Sequence, residues 1–255
     1  MKAKAGLLAV GIIVAMLVSL HAHAERRSKS AGSVTNGALI DGFDIPLESA
    51  YHRFYGPVSE RGTHYATVEM AALLVRAAKT VHTALPGPPA VFGDCSLKDG
   101  GEVSRHVSHR SGRDVDVLLF VMDETGDPVT ATGFHRFDRH GVCVSRDCRL
   151  QLDIPRMWWF VRTLLASQYP AVQYVFVSHA IRDKLITYAE NHNEHPSILE
   201  RATYVLRQPG NAAPHNDHLH IRTYCAGGDK AAGCRDFGRR WSWVSEDGRA
   251  APITR

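Results

Sequence analysis

The sequence predicts a single α+β domain with a mainly antiparallel sheet flanked by helices. Strand-like apolar runs are short and widely separated along the chain, and helical segments fall between them. The regular strand–helix alternation of a parallel, doubly wound sheet is missing. With 255 residues, no internal repeat and no linker composition, one substantial core is expected.

The elements follow in order. Lys2 and Lys4, an apolar run from Ala5 to Leu20, and Ala22-His23-Ala24 form the three parts of a secretory signal peptide. The apolar run is shorter than the roughly 20 residues of a membrane span, and no cysteine follows the cleavage site. The expected division is therefore a signal peptide over 1–24, a flexible segment over 25–35, and the folded domain over 36–255, with no membrane anchor after cleavage at Glu25. Asn36 to Thr63 shows no clear period. From Thr67 to about His82 a helix is expected, because Met70, Leu73, Leu74, Ala77 and Val81 share one face. Pro86-Gly87-Pro88-Pro89 ends it, and Ala90-Val91-Phe92 is a short strand entering a Gly93-Asp94 turn. The nearly continuous apolar run from Asp116 to Met122 predicts a central strand with Asp116 at its start. Helices are expected over Pro155–Leu165 and Ala180–Glu190, with a strand over Val172–Val177 between them. Ser197-x-x-Glu200 is read as a capping box opening a further short helix. His218 to Tyr224 is the last strand, and Trp241 and Trp243 are expected to dock the Arg-rich tail onto the body.

Without Lys2 and Lys4 the 30 basic residues fall to 28 against 26 acidic ones. So small an excess does not point to nucleic acid or a membrane surface as partner. All five cysteines lie at or after Cys95. In an exported chain the close pairs Cys225–Cys234 and Cys143–Cys148 are expected as disulfides, leaving Cys95 over. No Cys-x-x-Cys pair suggests a thiolate metal site.

Chemistry concentrates at two places. Ser108-His109-Arg110-Ser111-Gly112-Arg113-Asp114-Val115-Asp116 supplies His-x6-Asp, and about a hundred residues later come His215, His218 and His220. Imidazole and carboxylate are donors that zinc prefers, and a catalytic zinc site keeps one position open beyond three protein ligands. On a strand, His218 and His220 share a face, so one can bind a metal while the other works beside it. No His-Glu-x-x-His glutamate is present to act as base. His218 is the expected base, with His215 supporting it or the oxyanion. Asp114, on the same face as Asp116, reads as the group orienting a ligating imidazole. His106 is expected near the metal, and His64 is a weaker candidate for lining the same groove. The remaining histidines read as loop or surface residues.

These paired motifs resemble the zinc peptidases grouped with lysostaphin, D-Ala-D-Ala dipeptidases and the hedgehog signalling domain. The likeness is greatest to penicillin-insensitive murein endopeptidases, on Gly93-Asp94, Ser108 to Asp116 and His215-x-x-His218-x-His220, and spans about Gly56 to Cys225. The resemblance implies a zinc metallopeptidase domain with the site in a groove over the sheet, and Zn2+ held by His109, Asp116 and His220. A second ion is left open, with His106 and Asp114 as the residues nearest to it. The implied substrate is peptidoglycan and the implied compartment is the periplasm. A D,D-carboxypeptidase or dipeptidase, or a non-catalytic wall-binding module, remains the alternative.

Overall fold

The computed structural model describes residues 28–210 and 212–254. The expected signal peptide over 1–24 lies outside them.

Six strands form the main sheet, in the order β12-β11-β13-β7-β6-β4. They are β4 (His52–Phe54), β6 (Ala90–Phe92), β7 (Asp114–Leu118), β11 (Val172–Phe176), β12 (Leu206–Arg207) and β13 (His218–Thr223). The pairs β11–β13, β13–β7 and β7–β6 are antiparallel, while the two edge pairs β11–β12 and β6–β4 are parallel. The fold is thus the expected α+β class with a mainly antiparallel sheet.

The two central strands alternate with period two. Val115, Val117, Leu219 and Ile221 are fully buried in the core, among residues such as Met70, Leu73, Phe160 and Val161 from the helices. Asp114, Asp116, His218, His220 and Arg222 occupy the opposite face. One face of the same strand pair therefore makes the core and the other makes the site.

Five helices surround the sheet: α1 (Pro57–Arg61), α2 (Val68–Ala84), α3 (Ile154–Ala166), α4 (His179–Asn191) and α5 (Pro196–Val205). Thr67 caps α2 by accepting the Met70 amide, and all five predicted apolar-face residues are buried. Asp153 caps α3 and Ser178 caps α4 in the same way. The expected capping box at Ser197 is not the device used for α5. His195 is the N-cap residue, and its Nδ1 accepts the Ser197 amide at 3.2 Å.

Three further expectations are corrected. The segment 25–35 was expected to be flexible, but Lys29–Ser33 is strand β1, antiparallel to β2 (Asn36–Ile40). Its polarity reflects bonding to a buried partner, because Arg113 Nε donates to Ser30 Oγ at 3.0 Å. The aperiodic stretch 36–63 holds β2, β3 (Phe43–Asp44), β4 and α1, with β3 pairing with β5 (Tyr65–Ala66). These elements are too short to show a period. The run 116–122 divides: β7 starts at Asp114 and stops at Leu118, so Asp116 lies mid-strand. Val121–Met122 is β8, in a separate three-stranded sheet with β9 (Pro128–Val129) and β10 (Gln151–Leu152).

Both disulfides form, with Cα atoms 5.8 Å apart for Cys143–Cys148 and 6.0 Å for Cys225–Cys234. Cys95 is buried and free. The tail docks as expected: Trp241 is buried and its Nε1 donates to Gln173 O at 2.8 Å. Among the described residues, no helix is long and apolar enough to cross a membrane.

Candidate metal centre and groove

The register of β7 and β13 sets His220 directly opposite Asp116 and Arg222 opposite Asp114. His109 comes from the loop before β7, with its backbone in the left-handed region at φ 70°. Three atoms converge there. His109 Nε2 is 3.4 Å from Asp116 Oδ1 and 3.4 Å from His220 Nδ1, and His220 Nδ1 is 3.2 Å from Asp116 Oδ1.

The partners of each ring fix which nitrogen faces inward. His109 Nδ1 donates to the Cys95 carbonyl at 3.0 Å, and His220 Nε2 donates to Asp114 Oδ1 at 2.8 Å. That leaves two imidazole lone pairs and a carboxylate oxygen pointing at one another. Asp116 Oδ1 is buried and has no hydrogen-bond partner. Three acceptors packed this closely repel unless a cation sits among them. A tetrahedral ion with bonds of about 2.0–2.1 Å sets its ligands roughly 3.3 Å apart, which is the spacing present. The donor set therefore fits a divalent metal.

The surrounding charges lean the same way. Burial opposes ionisation of Asp116 and Asp114, but both carboxyls are held below the ordinary range, Asp116 by His109 and His218, Asp114 by Arg222 and His220. Burial likewise disfavours a charged His220, yet Asp114 and Asp116 outweigh it and raise its proton affinity. Arg222 Nε donates to Asp114 Oδ1 at 2.7 Å and keeps that carboxylate pointed at His220.

His218 sits beside this trio, with Nε2 3.5 Å from Asp116 Oδ1. Its Nδ1 donates to Asp217 Oδ1 at 2.6 Å, so Nε2 carries the free lone pair. Burial alone would lower its proton affinity, but Asp116 and Asp217 raise it above that of an ordinary imidazole. His215 differs. Burial, then the neighbouring His218 and His220, press its pKa down to about 4, and its Nδ1 is buried without a partner. Its ring lies 4.8 Å from that of His218.

His106 is also drawn in, its Nε2 donating to Asp94 Oδ2 at 3.2 Å while Nδ1 stands 3.7 Å from Asp116 Oδ2. His64 is not part of the groove; its Nε2 lies 3.3 Å from Asp44. His135, Cys143 and Cys148 also cluster, but the two sulfurs are committed to their disulfide.

The site opens into a cavity of about 660 Å³, walled in part by Tyr55, Arg61, Asp94, Arg105, Phe134 and Asp217. Several of these carried no assigned role in the sequence. Asp94 stood as part of a Gly-Asp turn and of the family resemblance, with no role of its own, yet it accepts from Arg61 through both Nε and Nη2 and from Thr63. The His106, Thr63 and Arg61 donors overcome burial and hold its pKa at about 2. Arg61 gave no signal, lying in an aperiodic stretch. Asp217 could have been found, since it directly precedes the expected base. Gly93 is required by close approach: a Cβ there would stand 2.9 Å from Phe134 and 3.1 Å from the Asp116 Cβ.

The sequence profile of the penicillin-insensitive murein endopeptidase family matches residues 30–239. Among curated proteins, the chain is similar to a penicillin-insensitive murein endopeptidase of Haemophilus influenzae, 28% identical over 203 residues, covering 78% of this chain and 64% of that protein. It is similar also to one of Escherichia coli O1:K1, 24% identical over 202 residues, with 78% and 67% covered. The matched segment thus spans about two thirds of these relatives' own length.

Proposed function

The chain belongs to the penicillin-insensitive murein endopeptidase family, and from that premise we propose that it is a zinc-dependent endopeptidase of peptidoglycan. Its substrate is the D-alanyl–meso-diaminopimelyl cross-link, and it acts in the periplasm after removal of residues 1–24. His109, Asp116 and His220 hold the metal. The observation that supports this is the convergence of three buried acceptor atoms at 3.2–3.4 Å, one of which has no hydrogen-bond partner.

Zinc, when bound, lowers the pKa of a water toward neutrality and polarises the scissile carbonyl. The protein's own groups do the rest. Asp217 fixes the His218 tautomer, so Nε2 accepts the proton of the attacking water and later returns it to the leaving amine. His215, neutral at physiological pH because its pKa is held near 4, donates a hydrogen bond to the developing oxyanion. Asp114, itself held by Arg222, fixes the orientation of His220. No serine nucleophile takes part, so β-lactams have no group to acylate.

The test is hydrolysis of purified cross-linked muropeptides by the mature protein, before and after chelation and again after zinc is restored. Cleavage that vanishes on chelation and returns with zinc is expected. Cleavage that survives stoichiometric metal removal would overturn the metal assignment. Zinc-loaded protein that leaves cross-links intact would overturn the endopeptidase reading.

A further inference from the structure

The charges around the cavity can be accounted for one by one. Arg61 is bound to Asp94 by three hydrogen bonds. Asp94 also takes His106, and Asp217 takes His218. Asp116 faces the imidazoles of the metal centre. Arg105 stands apart: it lines the cavity, it is exposed, and among the described residues it has no hydrogen bond or ion pair. An exposed arginine is ordinarily just solvated, so exposure alone decides nothing.

What distinguishes Arg105 is how its loop is held. Its φ is 70°, a left-handed conformation that a long L-residue adopts only when its surroundings impose it. Val103, two residues earlier, is buried in the body. His106, the next residue, is fixed from both ends: its amide donates to Val103 O at 3.1 Å and its ring donates to Asp94. A tight turn anchored on both sides thus presents one unpaired guanidinium to the cavity that holds the metal centre. A planar fork of N–H donors is matched chemically by a carboxylate.

We infer that Arg105 is the receptor for a free carboxylate of the peptide being cleaved. This rests on the endopeptidase reading above, which supplies two candidate carboxylates: one on the diaminopimelate carbon beside the scissile amide, the other on the stem glutamate. The pre-formed turn lowers the ordering cost of the contact, so Arg105 sets substrate affinity rather than the proton transfers of the reaction.

The experiment uses zinc-loaded mature protein and three cross-linked peptides: one with every carboxylate free, one amidated at the diaminopimelate carboxylate, and one amidated at the stem glutamate. For wild type, amidation at the recognised position is expected to raise KM roughly 10- to 100-fold with little change in kcat, the usual worth of a charge-assisted hydrogen bond. The peptide that suffers this loss identifies which carboxylate is bound. Arg105→Gln should show the same KM loss on the free peptide and be indifferent to amidation at that position. Arg105→Lys should recover part of the affinity. Unchanged KM in Arg105→Gln on the free peptide would overturn the inference, as would a loss that is equal on all three peptides. Wild type that cleaves none of the three would overturn the endopeptidase reading itself, and this inference with it.

Discussion

His218 and His220 stand two residues apart on one strand face, yet their partners give them different chemistry. His220 has one nitrogen bound to buried Asp114 and the other aimed at Asp116 and His109. His218 has one nitrogen bound to half-exposed Asp217 and the other toward the cavity. On the proposed ligand set, replacing His220 by Ala should abolish zinc binding and muropeptide cleavage together, because one of its three protein donors is lost. Replacing His218 by Ala should leave zinc content near one per chain while slowing cleavage roughly 10²–10⁴-fold, the worth of a placed general base. Metal analysis beside cleavage rates decides; zinc lost from His218→Ala but kept by His220→Ala would reverse the two roles. Asp114→Asn tests the support of the ligand. It should weaken zinc affinity by roughly 10–100-fold, read by competition with a chromogenic chelator, and wild-type affinity in that variant would remove Asp114 from the site.

At the scale of elements, the convergence of His109, Asp116 and His220 was legible because spacing survives folding in a short motif. His-x6-Asp and His-x-His each lie on one local segment, so their geometry follows from a loop and two strands. Asp94 and Arg61 were not legible in role, because their meaning comes from an interaction across 33 residues. The start of β7 shifted from Asp116 to Asp114 for a related reason: Asp114 is polar, and a polar residue at a strand end breaks the apolar pattern although it faces a site rather than solvent. The Cys225–Cys234 bridge closes the 3-10 turn Gly227–Ala232 directly after β13. Removing it with a Cys225→Ser, Cys234→Ser double variant should cost about 2–3 kcal/mol for so short a loop. That corresponds to a fall of roughly 5–10 °C in Tm by calorimetry of the zinc-free protein. An unchanged Tm would mean that Trp241 docking and the Arg113 contacts hold the tail without the bridge.

Across the whole molecule, the strand pair β7–β13 makes both core and site from alternate residues, so stability and function share strands. The fold class was readable from the mixture of long helices and scattered short strands, whereas the β1–β2 hairpin was not. That hairpin exists because Arg113, buried near the end of the site loop, bonds Ser30, Thr223 O and Arg235 O, tying the chain's beginning to β13 and the tail. The price of a site on the core sheet is a set of buried carboxylates held below the ordinary range, Asp94, Asp114 and Asp116. Asp94 gives the measurable case. Its carboxyl is held at about 2 against an ordinary 3.8, by donors from His106, Thr63 and Arg61 that outweigh its burial. A carboxyl whose folded pKa is depressed contributes stability that is fully present above the unfolded pKa. That contribution declines as pH falls through the folded value, because the unfolded chain takes up the proton first. The unfolding free energy of the zinc-free protein should therefore exceed that of Asp94→Asn by a constant amount above about pH 5. The gap should narrow steadily between about pH 4 and pH 2. Urea titrations of both proteins across that range measure it directly. A gap that stays constant down to pH 2 would show that Asp94 is not held ionised by this network, and that its role in the groove wall is one of shape alone.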